Sequence, residues 1–210
     1  ALGENWPLDF LPLTDNELES RQVLAAAISP DAVKEVFALC QKLGADPERI
    51  VLRPCAAASL FLRRPEAKRQ PICLLVDLLP GEADLTAVVR GRVVFTRTAR
   101  LAHDVIEEPT NTRALIAEVR RSLAAVHNQL GADRVEAVYL WGDTPAHAAV
   151  AKEMAAIVEL PVSTCPPLDA LRPAASFTAA ARPEHFVSLL GALADQAEKA
   201  QPAFDFLHPR

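Results

Sequence analysis

The nearly continuous apolar run at residues 72–78 constrains the fold more than any other feature of this sequence. A strand that is apolar on both faces has to be buried on both faces, so helices must cover it from each side. Two further strand-like segments follow at 85–89 and 93–98, separated by Arg90-Gly91-Arg92, a glycine-containing turn typical of a hairpin. The sequence therefore predicts three strands in succession.

Helix and strand signals alternate after these three strands. We predict a helix that Asn111 or Thr112 caps and Gly131 ends, a strand at 135–141, a helix at 145–158, a short strand at 160–163 and a helix at 183–199. In the last helix the apolar face is expected to consist of Leu189, Leu190, Leu193 and Ala197. This order predicts an α/β fold with a mixed sheet covered on both faces.

The part of the chain before the central run reads as a smaller unit. Residues 1–20 are polar and interrupted by prolines, so we expect little regular structure there. A strand at 23–28, a helix at 31–43, a short strand at 50–52 and an alanine-rich helix at 54–64 follow. A charged break places a domain boundary near residue 68.

Glycine is scarce, which limits the chemistry of the chain. There are 7 glycines in 210 residues, about 3% against a usual share of roughly 7%. No glycine-rich phosphate loop, dinucleotide fingerprint or nucleophile elbow can be assembled from them, so we predict no catalytic residues.

Other classes of function are also disfavoured by the composition. The five histidines show no metal-ligand spacing, and the net charge of -5 does not favour nucleic acid. No apolar run approaches the ~18 residues of a membrane span.

One region carries a more specific pattern. A buried strand contains Asp77, two meander strands follow, an amphipathic helix contains Glu118, and another strand ends in Trp141-Gly142. This order resembles the PilM family of type IV pilus assembly proteins and the related cytoplasmic part of GspL from type II secretion, over roughly residues 22–197. The resemblance implies an actin-like ATPase fold, which is ribonuclease H-like.

The resemblance also implies a division of the chain. Residues 1–68 correspond to an N-terminal leader and the remainder of an incomplete first lobe, residues 69–200 to the second lobe, and residues 201–210 to a tail or linker. On this view the chain is a C-terminal portion of such a protein, and the first phosphate loop would lie upstream.

The family's nucleotide motifs are degenerate in this sequence. Leu79 stands where the second phosphate loop has glycine, Ala83 stands where it has threonine, and Trp141 replaces the first of two adenosine-side glycines. Backbone that must approach phosphate closely requires glycine. The resemblance therefore implies a vestigial nucleotide pocket made of Asp77, Gly81, Glu118 and Gly142.

Three of these residues have alternative interpretations. Asp77 can be a strand-end aspartate that caps nearby amides, and Glu118 can be an ordinary surface acid on its helix. Trp141 can be a core residue, or it can fill the former nucleotide pocket.

The C-terminal segment resembles the short segment with which PilN, the membrane partner of PilM, begins. Phe204-Asp205-Phe206-Leu207 has its apolar-polar-apolar-apolar pattern. It could dock on its own domain, dock on a neighbouring copy or precede a membrane span, or it could be a frayed terminus. The candidate partner-binding residues are Arg97, Arg120, Arg121, Trp141, Phe204, Phe206 and Leu207.

The resemblance implies a non-catalytic scaffold at the cytoplasmic face of the inner membrane. It would bind a PilN-like or GspM-like inner-membrane protein, with a homodimer as a further option, and it would need no cofactor, metal or nucleic acid. The alternative is an actin-like module that binds or hydrolyses ATP with magnesium, and a third interpretation is a sugar-kinase-like fragment of the same superfamily.

Overall fold

The computed structural model describes residues 5–13, 22–108, 112–174, 176–178 and 180–210. Its main sheet is mixed, with the order β5-β4-β3-β6-β7. The five strands are β3 (Ile72–Leu79), β4 (Glu82–Val89), β5 (Arg92–Arg100), β6 (Ala137–Trp141) and β7 (Val162–Cys165). The first three are antiparallel neighbours, and the last two are parallel to β3 and to each other.

A separate antiparallel pair precedes this sheet. It consists of β1 (Leu8–Pro12) and β2 (Val23–Ala27), with Leu8 opposite Ala27. The helices are α1 (Pro30–Lys42), α2 (Arg53–Leu62), α3 (Glu66–Arg69), α4 (Arg113–Leu130), α5 (Pro145–Val158) and α6 (Val187–Ala197), with 3₁₀ turns at Pro167–Ala170 and Pro183–Phe186.

The central strand β3 separates two hydrophobic cores. Because side chains alternate along a strand, Leu74 and Val76 face the layer formed by α4 and α5, whereas Cys73 and Leu75 face α2 and α6. The expected α/β architecture, with a mixed sheet between helices, is confirmed. The predicted division near residue 68 falls within α3 and stays a prediction.

Helices α2 and α6 pack against each other unusually closely. Gly191 of α6 lies directly against the backbone carbonyl of Ala56 in α2, so that a Cβ at Gly191 would overlap this oxygen. Val187 and Asp195, one turn before and one turn after Gly191, are buried on the same face. The predicted apolar face was therefore wrong at Leu189 and Leu193, which are 53% and 57% exposed. Because the two helices approach so closely, α6 buries the face that contains its smallest residue and not its most apolar face.

Three local predictions on the N-terminal side were wrong. Residues 8–12 form β1, because β2 offers them a partner and their inner face packs on the core. Residues 50–52 are not a strand; the backbone of Ile50 is hydrogen-bonded to the C-terminal tail instead. The charged break contains the short helix α3.

The later boundaries shift by a few residues. Strand β7 starts at Val162 instead of residue 160, and the helix predicted over 183–199 begins as a 3₁₀ turn, with α6 starting at Val187. Asn111 lies outside the described residues, and the side chain of Thr112 makes no capping hydrogen bond. In the described part of the chain, no helix is both long enough and apolar enough to cross a membrane.

Replacing Gly191 by alanine is expected to destabilise the protein. Alanine would favour the helix by ~1 kcal/mol, but its methyl group would overlap the Ala56 carbonyl, and such overpacking costs about 1–3 kcal/mol. Thermal unfolding should show a lower Tm for Gly191→Ala. Leu193→Ala on the exposed face of the same helix is the control, and its Tm should stay close to that of the wild type. A Tm for Gly191→Ala at or above the wild-type value would contradict the packing described above.

Candidate functional site

The first turn of α2 places an arginine beside the β3–β4 hairpin. Arg53 Nε and Nη2 donate to Asp84 Oδ2 and Oδ1 at 2.7 and 3.0 Å, and Nη1 lies 2.7 Å from Glu82 Oε1. Thr98 Oγ1 donates to Asp84 Oδ1 at 2.5 Å. The carboxylate of Asp84 is thus fully satisfied by neighbours on two other elements, which holds α2 against the sheet.

Asp77 lies opposite Asp84 in the antiparallel register and has a very different environment. It is 4% exposed, and its Oδ1 has no hydrogen-bond partner among the described residues. Burial and then the charge of Asp84 raise the pKa of Asp77 to about 8, although Arg53 acts in the opposite direction. Asp77 is therefore largely protonated at pH 7. Since it accepts no amide hydrogen bond through Oδ1, the capping interpretation does not describe it well.

A histidine fills the space at the end of β6. Gly142 has φ of +123°, and a Cβ there would overlap the imidazole ring of His147. His147 is 1% exposed, and its Nδ1 lies 2.6 Å from Oγ1 of Thr144, the N-cap residue of α5. Burial lowers the pKa of His147, which favours the neutral ring. The bare backbone that Gly142 exposes is therefore covered by this protein's own side chain.

The turn between β3 and β4 is short. Leu79 and Glu82 are paired, so only Pro80 and Gly81 connect the strands, and Gly81 has φ of +76°. The carbonyl of Gly81 accepts a hydrogen bond from Leu101 N at 2.8 Å. This hydrogen bond ties the two-residue turn to the residue that follows β5.

The C-terminal tail occupies a groove between β1 and the segment before α2. Phe204 and Phe206 are buried in the core beside α2, and Phe206 N donates to Ile50 O at 2.9 Å. Of the four alternatives for the tail, the structure shows docking on its own domain.

Asp9 of β1 is the polar anchor of this groove. It is fully buried, and its two carboxylate oxygens accept Asp205 N at 2.9 Å and Arg210 N at 3.0 Å. The Arg210 guanidinium lies 3.3 Å away. Burial by itself would raise the pKa of Asp9, but the backbone hydrogen bonds and Arg210 lower it below its usual value. One ionised side chain therefore fixes the two ends of the described chain to each other.

Comparison with known proteins gives one result that carries weight. No protein-family model matches the chain, and no curated protein does. The structure is similar to a solved PilM-PilN type IV pilus biogenesis complex, with a TM-score of 0.69 and 22% sequence identity over 89% of this chain and 66% of that chain. The chain has the actin-like fold. The fold expected from the sequence is confirmed, and the chain spans just under two thirds of that protein's length.

Two weaker likenesses have lower scores. One is a Bacteroides thetaiotaomicron protein of unknown function with an actin-like ATPase fold, with a TM-score of 0.41 and 14% identity over 78% of this chain and 55% of that one. The other is the activator of 2-hydroxyisocaproyl-CoA dehydratase from Clostridium difficile with bound ADPNP, with a TM-score of 0.37 and 11% identity over 86% and 88%.

The actin-like lobe does not gather all four residues of the predicted nucleotide pocket. Asp77 and Gly142 lie at neighbouring strand ends, and Gly81 lies in the nearby hairpin turn. Glu118 is on α4, which covers the opposite face of the sheet from Asp77, and it is paired with Arg97 at 2.8 Å and Arg121 at 2.5 Å. Four surface clefts of 250 to 640 Å³ occur elsewhere, and none of these four is lined by the predicted pocket residues.

The predicted partner-binding residues fall into two groups. Arg97, Arg120 and Arg121 are exposed on β5 and α4. Trp141 is 1% exposed and packs edge-on against Phe61, with ring centroids 6.4 Å apart. The prediction that Trp141 lies on a partner-binding surface was therefore wrong, and Trp141 is a core residue. Phe204 and Phe206 are buried by this chain itself, and Leu207 is half-buried beside them.

Sequence reasoning missed the residues that fill and anchor these sites: Arg53, Asp84, His147 and Asp9. The only sequence signals are local ones, since Pro54 marks the first turn of α2 and Thr144-Pro145 marks the start of α5. Nothing in the periodicity indicates which side chain or backbone group each of these four residues contacts.

Replacing Asp77 by asparagine should stabilise the protein in a pH-dependent way. Because the folded-state pKa of Asp77 is raised to about 8, the folded protein retains a proton that the unfolded chain has lost, and wild-type stability falls as pH rises from about 4 to 8. The asparagine side chain does not titrate, so the gain should be small at pH 4 and grow towards pH 8, by at most about 1.4 kcal/mol per pH unit. Urea unfolding across this pH range measures it.

The control for this measurement is Asp31→Asn, because the Asp31 side chain is 85% exposed. Its stability should follow the wild-type pH profile. An Asp77→Asn protein whose stability difference from the wild type does not change with pH would contradict a raised pKa.

Removing residues 203–210 should lower the stability by at least about 3 kcal/mol, since two buried phenylalanines are lost and Asp9 loses its hydrogen bonds to Asp205 and Arg210. Thermal unfolding measures the loss, and an excess of a peptide with the sequence of residues 203–210 should restore part of the Tm. A peptide of the same composition in scrambled order should restore nothing. An unchanged Tm after deletion would show that the tail contributes no binding energy in its groove.

Proposed function

We propose that this chain is a non-catalytic, actin-like scaffold that binds a PilN-like inner-membrane protein in a type IV pilus or type II secretion assembly. The observation that carries the proposal is the fold shared with a PilM-PilN type IV pilus biogenesis complex. The resemblance of the tail to the start of PilN supports it from the sequence side. Binding to that partner would hold the chain at the cytoplasmic face of the inner membrane.

We also propose that the chain binds no nucleotide at the position where actin-like proteins hold it. Three features support this part of the proposal. Asp77 is largely protonated at neutral pH, His147 covers Gly142, and the hairpin turn has two residues. A magnesium–phosphate complex needs ionised carboxylates and bare backbone amides, so the residues present do not fit one.

The groove under the tail suggests how a PilN-type segment would be recognised. Its features are a buried carboxylate that accepts two backbone N–H groups and apolar space for two phenylalanines at alternate positions. Backbone recognition combined with pockets for alternate side chains is the usual mode for extended segments. In this chain its own tail provides the segment, so a partner would bind by exchanging with the tail or through the exposed arginines on β5 and α4.

The alternative function is an ATP-binding actin-like module, which the presence of Asp77 at the phosphate-loop position favours. Titration of the full chain with magnesium and ATP separates the two. The scaffold proposal expects no change in Tm or in the fluorescence of Trp141, which directly precedes the Gly142 backbone that His147 covers. Saturable stabilisation by ATP that is lost in Asp77→Ala but kept in Asp31→Ala would establish the alternative.

The partner part has its own measurement. A peptide carrying the N-terminal segment of a PilN protein is titrated into the full chain without nucleotide, followed by calorimetry. We expect binding that magnesium and ATP do not change. Binding that requires ATP would contradict the scaffold proposal, and an absence of binding to both PilN and GspM cytoplasmic segments would leave only the fold.

A further inference from the structure

We propose that the outer edge of β5, together with the flank of α4 beside it, binds an extended acidic segment of a partner protein by strand addition. This surface is called the β5 edge below. The inference goes beyond the proposed function, because it needs neither a PilN-like partner nor the absence of nucleotide binding.

The backbone of β5 is open on one side. In the register with β4, Leu101 N donates to Gly81 O, so the alternate residues Thr96, Thr98 and Arg100 direct their N–H and C=O groups away from β4. No strand in the described part of the chain pairs with this side of β5. The β5 edge therefore presents a row of donors and acceptors to a further strand.

One flank of helix α4 lies beside this edge. Residues 114, 118, 121, 125 and 129 share one flank by helical spacing, and two contacts show that this flank faces β5. Gln129 Nε2 donates to Val94 O at 3.1 Å, and Arg97 Nη2 lies 2.8 Å from Glu118 Oε2. Gln129 thus closes the edge at Val94, while the alanines at 114 and 125 leave room beside the remaining backbone.

Charge determines what kind of strand fits. Three arginines, Arg97, Arg100 and Arg121, and one carboxylate, Glu118, belong to this surface, whereas the chain as a whole has a net charge of -5. Arg97 and Arg121, 40% and 60% exposed, share that carboxylate, and Arg100 makes no ion pair with any described residue. The surface therefore keeps an excess of positive charge on both sides of the open backbone.

The same charge excludes a second copy of the chain as occupant. Pairing of two β5 strands would bring arginines of the two copies next to each other, and like charges across a ladder are destabilising. An extended segment with carboxylates at alternate positions would meet Arg97 and Arg121 on the α4 side and hydrogen-bond to the backbone of Thr96, Thr98 and Arg100. Such a partner satisfies both the backbone and the charge.

The test uses the full chain and two labelled peptides of the same length, TEVEVET and TKVKVKT, followed by fluorescence anisotropy. We expect saturable binding of the acidic peptide only, weakened by salt. The double variant Arg100→Glu/Arg121→Glu should weaken binding by at least about tenfold, while Arg97 remains to pair Glu118. Lys152→Glu, an exposed lysine on α5, is the charge control and should leave binding unchanged.

A second variant separates strand addition from simple charge attraction. Thr98→Pro removes an outward N–H without changing the charge, and proline is tolerated on the free side of an edge strand. It should abolish binding, and circular dichroism checks its fold. Thr98→Ala loses the same hydroxyl contact with Asp84 but keeps the N–H, so this matched control should retain binding. If the peptide adds as a strand, amide hydrogen exchange at Arg100 should be slower in the peptide complex than in the free protein.

Several results would overturn the proposal. They are no saturable binding, equal binding of both peptides, and binding that Arg100→Glu/Arg121→Glu weakens but Thr98→Pro leaves intact. The last would identify a charged patch without strand addition. Arginine-dependent binding to vesicles of anionic phospholipid, without peptide binding, would assign the surface to a membrane instead.

Discussion

The double burial of β3 is the constraint on which the rest of the structure depends. Leu74, Val76 and Leu78 face one helical layer and Cys73 and Leu75 face the other, so neither layer can be removed without exposing a core. The hairpin with β4 and the parallel contact with β6 then fix where each strand ends. Through these pairings β3 fixes the positions of Asp77, of the hairpin turn and, by way of β4, of the β5 edge.

The charges at the end of β3 are compensated within the chain itself. A nucleotide site keeps its backbone amides free and its carboxylates ionised, because the ligand supplies the missing partners. Here the polar groups are directed inward: Arg53 neutralises Asp84, the Asp77 carboxyl is held in its neutral form, and His147 covers Gly142. These arrangements compensate the charges at this strand end without a ligand.

Local patterns predicted what depends on the chain itself. Apolar runs and turn residues were sufficient for the β3–β5 meander, and a 3.6-residue period was sufficient for α4, because each is determined by neighbours in the sequence. Contacts between distant residues were not predictable. Leu189 and Leu193 lost their place in the core to Gly191, and β1 and the anchor Asp9 depend on partners about 15 and 200 residues away. A single sequence carries no signal for such pairings.

The docked tail determines which surfaces are left for partners. A segment tethered to its own groove has an effective concentration in the millimolar range, so a free segment with the same contacts must exceed that concentration to displace it. Asp9 strengthens the competitive advantage of the tail, because release of the tail takes a hydrogen-bond partner away from a buried carboxylate. A partner that relied on this groove alone would have to displace the tail, which lowers its apparent affinity. Under the proposed function, stable assembly would therefore gain from a second contact outside the groove, and the β5 edge, with its open backbone and excess positive charge, has the properties that such a contact needs.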